Sequence, residues 1–209
     1  MQHYILMADV IGSRTTDQVI LMKEFKSCVD YINNKYKSSL LSPLTITLGD
    51  EFQGVIKDAN TAVEIIISIE EYIISKSINM KLRYVLHYGG IDTEINSEIA
   101  YEMLGEGLTE ARSRLMNMKN DSHRFEVDIK NEKLNNLLSN SFIVYQDLID
   151  GWNIKRDGEL ISLFIKKRDY KIVADLVAKT RSQIWKRERG LKMTSYYAIK
   201  SILINLTIF

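Results

Sequence analysis

The order in which apolar periods succeed one another over residues 3–89 constrains this chain more than any other feature of its 209 residues. The run 3–11 is apolar at most positions and ends in Gly12 and Ser13, which predicts a short strand entering a turn. Over 17–37, Val19, Ile20, Met22, Phe25, Val29, Ile32 and Tyr36 recur at three- and four-residue spacing, the mark of an amphipathic helix. Pro43 resets the chain before the β-branched run 44–48, and Gly49-Asp50 turns it into a second extended run over 52–56. A helix over 59–77 and a strand over 81–89, closed by Gly89 and Gly90, follow. Strand, helix, strand, strand, helix, strand is the split β-α-β unit of ferredoxin-like sheets, so an antiparallel sheet with helices on one face is expected.

A further helix over about 98–119 and a strand over about 124–129 extend this unit. Helical patterns then occupy 134–149, 159–165, 171–179, 181–189 and 196–206. The fold class read from this order is α/β (α+β). A ferredoxin-like palm domain over 1–135 precedes a small all-α domain over 136–209 that contains a helix-turn-helix.

The formal charge of +1 hides an asymmetry, because residues 152–200 hold 13 Lys and Arg against 5 Asp and Glu. That stretch is +8 and the remainder −7, which points to a polyanion partner for the C-terminal part. No stretch of about 18 uncharged apolar residues occurs, and the opening residues lack the basic start and cleavage site of a signal peptide, so a cytoplasmic location without membrane contact is expected. Cys28, the single cysteine, sits at helical apolar spacing and is expected to pack.

Asp9 stands at the end of the first strand and Asp50 at the hairpin tip, and these strands are neighbours in a split β-α-β sheet. Paired carboxylates with a backbone carbonyl, such as that of Val10, suit Mg²⁺, which keeps open positions for phosphates. The turn formed by Ile11, Gly12, Ser13 and Arg14 leads into a helix, so its amides, with Arg14 beside them, are candidates for cradling phosphate. His87 shares a strand face with Arg83, Val85 and Gly89, and is read as a structural or cleft-lining residue.

Four segments, Ala8 to Ser13, Leu48 to Phe52, Leu82 to Gly89 and Leu104 to Leu115, resemble in sequence and order the motifs of class III nucleotide cyclase domains and the related GGDEF palm. The resemblance implies that Asp9 and Asp50 hold two Mg²⁺ ions around a nucleoside triphosphate, with Glu51 as an auxiliary ligand. Ile46 stands where that pattern has a base-selecting lysine, and Thr109 and Ser113 stand where it has a transition-state Asn and Arg. These departures argue for nucleotide binding without cyclisation, and no catalytic residue is assigned.

Over 170–190 a helix carrying Ile172, Val173, Leu176 and Val177, with a small Ala174, precedes a polar break and a second helix. This reads as a helix-turn-helix in which Ile184 and Trp185 anchor the second helix. Arg181, Ser182, Gln183, Lys186, Arg187 and Arg189 are then left facing outward toward DNA. The whole chain resembles the SatD family of bacterial proteins, most specifically through Ala8 to Arg14 and Leu48 to Gly54.

The expected function is a regulator that binds Mg²⁺ and a nucleoside triphosphate or signalling nucleotide and contacts DNA through its C-terminal helices. A palm-type nucleotidyl transferase or cyclase with a docking tail, and a DNA-binding regulator with an empty palm, are the alternatives. Related palms and helix-turn-helix proteins often pair, which raises the expectation of a homodimer. The apolar tail 202–209 needs covering.

Overall fold

A computed structural model describes residues 1–13 and 17–207. Its first half follows β1 (Gln2–Val10), α1 (Gln18–Lys35), β2 (Leu40–Ile46), β3 (Glu51–Ile56), α2 (Ala59–Ser75), β4 (Leu82–Gly90), α3 (Glu106–Asn117) and β5 (Phe125–Asp128). Five helices follow: α4 (Glu132–Asp150), α5 (Ile154–Lys167), α6 (Tyr170–Leu176), α7 (Arg181–Gly190) and α8 (Met193–Asn205). The expected boundary at 135 falls in the first turn of α4.

The sheet order is β2-β3-β1-β4-β5. The first four strands are antiparallel, as the ferredoxin-like reading requires, while β5 joins β4 in parallel. A parallel partner needs a long crossover, and the connection through α3 supplies it. Consequently helices cover both faces rather than one. Leu6, Ala8, Phe52, Ile56, Leu82 and Tyr84 face α1, α2 and the C-terminal helices, whereas Ile5, Met7, Val55 and Val85 face Ala111 and Leu115 of α3.

The helix expected over 98–119 begins only at Glu106. Residues 91–105 instead cross the sheet face irregularly, burying Ile91, Ala100 and Met103, with Glu102 in the left-handed region at φ 61°. Gly107 then sets how deeply α3 sits. A Cβ added there would lie 2.5 Å from the Gly89 carbonyl carbon and 2.6 Å from its Cα, so the helix rests directly on the β4 backbone. This close approach is the physical reason for the Gly105-Glu106-Gly107 run.

Helix α2 is buried nearly all round, through Ala62, Val63, Ile65, Ile66, Ile67, Ile69, Ile73 and Ile74. One of its faces meets the sheet, and the others meet α1, α5 and α8. A single buried cluster therefore runs from Leu6 through α2 to Phe142, Phe164 and Tyr196. Cys28 belongs to it, and burial pushes its thiol pKa up to about 12. Leu203 of the tail is buried while Ile202 stays exposed, and Ile208 and Phe209 lie outside the described residues.

Arg124, just before β5, ties this assembly together at its rim. It donates to both carboxylate oxygens of Glu70 in α2, to both of Asp150 in α4 and to the Leu82 carbonyl. Both Arg124 and Glu70 are buried, and Tyr84 Oη also donates to Glu70 at 2.8 Å. Replacing Arg124 with Met strands a buried carboxylate and is expected to cost about 3–5 kcal/mol. Adding Glu70→Leu should restore much of that loss in denaturant melts; additive losses in the double variant would contradict this account.

Candidate functional site

The strand ends next to the first turn carry the charged chemistry of the chain. Sheet register sets Asp9 opposite Glu51 on one side and Arg83 on the other, so Glu51, Asp9 and Arg83 form one rung on the α3 face. Asp9 and Glu51 are both buried. Arg83 donates to Asp9 Oδ2 at 3.0 Å, and Lys119, beyond the end of α3, reaches the same oxygen at 3.8 Å. Glu51 takes Arg112 at 3.1 Å on Oε2 and Lys119 at 3.9 Å on Oε1. Two buried carboxylates are thus balanced by three cations of the chain itself.

One oxygen is left over. Asp9 Oδ1 is buried and, among the described residues, has no hydrogen-bond partner, a condition that costs about 1–3 kcal/mol. Burial is the main cause of the raised Asp9 pKa; Arg83 and Lys119 oppose it, while Glu51 and Asp50 add to it. Asp50 is joined to this end of the sheet by its carbonyl, which accepts from Val10 N at 2.9 Å. Its carboxylate accepts from Ser13 Oγ at 2.6 Å, which staples the β1–α1 turn to the hairpin. Gly12 makes that turn with φ 70°, a conformation that favours glycine.

These positions test the expected metal site. Glu51 does not fit a ligand role, because both its oxygens face cations. Asp9 Oδ1 and the Asp50 carboxylate are the oxygens of the expected set that no cation of the chain pairs with among the described residues. Among the described residues no group of three or more acidic, His or Cys side chains could hold a metal by itself.

The expected phosphate cradle is narrower than its sequence suggests. Ile11 N is already spent on the Lys81 carbonyl at 2.9 Å. Helix α1 starts at Gln18, and the Asp17 carboxylate caps Val19 N and Ile20 N, placing a negative charge where a helix-bound anion would sit. Arg14 lies outside the described residues. Ile11 and Gly12 line a cleft of about 910 Å³, together with Asp17, Glu24, Asn79, Lys81, Trp152 and Lys155 among others. Sequence reading missed Lys81, Trp152 and Lys155, since nothing local links the α2–β4 and α4–α5 connections to the first turn. Thr109 and Ser113 line a separate cavity of about 460 Å³ with Gln53 and Arg112. Ile46, at the end of β2, pairs with Phe52.

His87 is buried, with Nδ1 3.0 Å from Asp128 Oδ2, which fits its structural reading. Its Nε2 lies 3.0 Å from Glu110 Oε2, off the line of a hydrogen bond.

In the basic region, α6 and α7 are joined by Val177, Ala178, Lys179 and Thr180. Ala178 holds the left-handed conformation at φ 51°, and Ala174 is fully buried beneath the pair. Thr180 and Gln183 form a capping box, so the Gln183 carbonyl oxygen is engaged by the Thr180 backbone. Arg181, Ser182, Lys186 and Arg189 are exposed. Arg187 departs from the outward face, because its guanidinium is paired with the buried Asp157 of α5. Trp185 is not an anchor: it is 42% exposed, and Arg189 stacks over its ring at 5.1 Å.

The Asp9 carboxyl makes a pH test. As pH rises past the ordinary carboxylate value near 4, the unfolded chain releases this proton before the folded one does. Stability attributable to Asp9 therefore falls from there up to its raised folded pKa. Denaturant melts across this range should show the wild type losing stability relative to Asp9→Asn as pH increases, and parallel profiles would contradict the raised pKa.

The model of the SatD family matches residues 4–206. Among solved structures the chain is similar to a bacterial light-regulated adenylyl cyclase, at 15% identity and a TM-score of 0.46, over 60% of this chain and 74% of that one. No curated protein matches it. No described helix is long and apolar enough to cross a membrane. With the family match running from β1 through α8, the chain belongs to the SatD family.

Proposed function

We propose that this protein is a nucleotide-binding regulator whose C-terminal helices contact DNA. The observation that carries the nucleotide half is the cleft of about 910 Å³ that the first turn, at Ile11 and Gly12, lines together with Lys81 and Lys155. Phosphates would lie between the Gly12 and Ser13 turn and the ammonium groups of Lys81 and Lys155. One Mg²⁺, held by the Asp50 carboxylate that accepts from Ser13 at this turn, would offset the phosphate charge. Elsewhere on the cleft wall, Asp17 and Glu24 offer acceptors for ribose hydroxyls and exocyclic amino groups, while Ile20, Ile78 and Met80 offer apolar surface. Thr109, Ser113 and Ile46 lack the charged donors of the cyclase pattern, which supports binding without cyclisation.

Titration calorimetry with ATP and GTP, with and without Mg²⁺, tests this half. Saturable binding that needs Mg²⁺ and weakens about ten-fold or more in Asp50→Asn is expected, a change of about 1.4 kcal/mol. Equal affinity in the variant, or no binding to the wild type, would remove the reading.

The DNA half rests on α6, the turn at Ala178 and the capped α7. We read this pair as a helix-turn-helix, a reading supported by Ala178 in the left-handed conformation at a position where glycine is often found. Arg181, Ser182, Lys186 and Arg189 form the exposed face offered to the major groove. Gln183 lies beside them with its carbonyl oxygen engaged, and Arg187 is tied to Asp157. In a fluorescence-anisotropy salt series, log affinity for duplex DNA should fall linearly with log salt, and Lys186→Ala should reduce the slope by about 0.9. Unchanged slope and affinity in the variant would take α7 out of the interface.

A further inference from the structure

We propose that the α4–α5 connection, residues 151–155, is a ligand-contacting wall of the cleft and that Trp152 carries cleft occupancy to α7. This rests on the nucleotide reading above and adds the route by which a ligand would regulate. Trp152, Asn153 and Lys155 line the cleft opposite Ile11 and Gly12, so any molecule that spans it touches both halves of the chain. An indole on such a wall offers a surface for a planar base, and Lys155 offers a charge for phosphate.

The same indole is fastened to the C-terminal end of α7. Trp152 Nε1 donates to the carbonyl of Leu191, the residue that ends α7, at 2.9 Å. Its ring lies 5.2 Å from that of Tyr196 in α8, whose hydroxyl donates to Glu71 in α2. A second link runs parallel. Asp157, in the first turn of α5, pairs with Arg187, and Gly158 beside it packs on Ser77 of the cleft wall. A shift of the 151–155 segment therefore pulls on α7 at two points, Leu191 and Arg187, while α2 stays fixed in the core. Allostery requires such differential contact with two states of one element, and here the element is the seat of α7.

The chain has two tryptophans, so Trp185→Phe leaves Trp152 as the sole indole reporter. Titrating that variant with MgATP and MgGTP should change its emission saturably, at the midpoint that calorimetry gives for the same protein. In the wild-type chain, saturating nucleotide should change the DNA dissociation constant by about five-fold or more. Trp152→Phe keeps a ring on the wall but loses the indole N–H, so nucleotide binding should weaken several-fold while, at saturating nucleotide, that factor falls close to one. Lys155→Ala, an exposed change that leaves the thermal midpoint of the free protein unaltered, should weaken nucleotide binding several-fold and keeps the proposal testable if Trp152→Phe folds poorly. Calorimetric binding with no change in Trp152 emission, with Lys155→Ala binding as the wild type does, would overturn the inference and leave the nucleotide reading standing. An undiminished factor in a folded Trp152→Phe protein would overturn the coupling role. Absence of any calorimetric binding would remove both.

Discussion

Burial of α2 on all sides is the constraint on which the rest of the structure depends. Its isoleucines cannot be covered by the sheet alone, because the sheet meets only one face of the helix. Helices α1, α5 and α8 cover the remainder, so the basic C-terminal region is seated on the same core as the five-stranded sheet. The seat is also fixed electrostatically. Arg124 bridges Glu70 and Asp150, and Lys200 pairs with Glu71, so two adjacent carboxylates of α2 hold partners from other elements. A basic region fixed this way can respond to the cleft only through the parts that α2 does not pin, namely the α4–α5 connection and the α6–α7 pair.

The second organising feature is the charge balance of the Glu51, Asp9 and Arg83 rung. A buried carboxylate needs a partner, and the sheet supplies one in register. Arg83 is held by its strand, whereas Arg112 and Lys119 approach from α3 and from the turn that follows it, respectively. The internal cations use Asp9 Oδ2 and both oxygens of Glu51, so the rung is neutralised largely by the chain itself.

Much of the fold was legible in the sequence, because period and turn chemistry are local. The alternation through Ile32, Gly49 and Leu86 fixes the element order, and that order brings the ends of β1 and the β2–β3 hairpin together. Strand pairing across the sheet is not local, so the opposition of Asp9 to both Glu51 and Arg83 could not be read from spacing. The parallel docking of β5 was hidden for the same reason. Gly107 gave a visible signal, a glycine in a helical pattern, that was not used to place the start of α3. Trp185 misled because an aromatic residue at helical spacing usually packs inward, whereas Arg189 covers it at the surface. Trp152 carried no local signal beyond being a large residue in a connection.

In the proposed coupling, the cleft and α7 form one responsive unit. Hydrogen exchange on the full chain, with and without saturating MgATP or MgGTP, measures this directly. Slowed exchange at the Ile11 and Gly12 turn, changed exchange in the 151–155 connection and through α7, and unchanged exchange in α2 are the predicted result. Protection confined to the first turn, with α7 exchanging alike in both states, would contradict it.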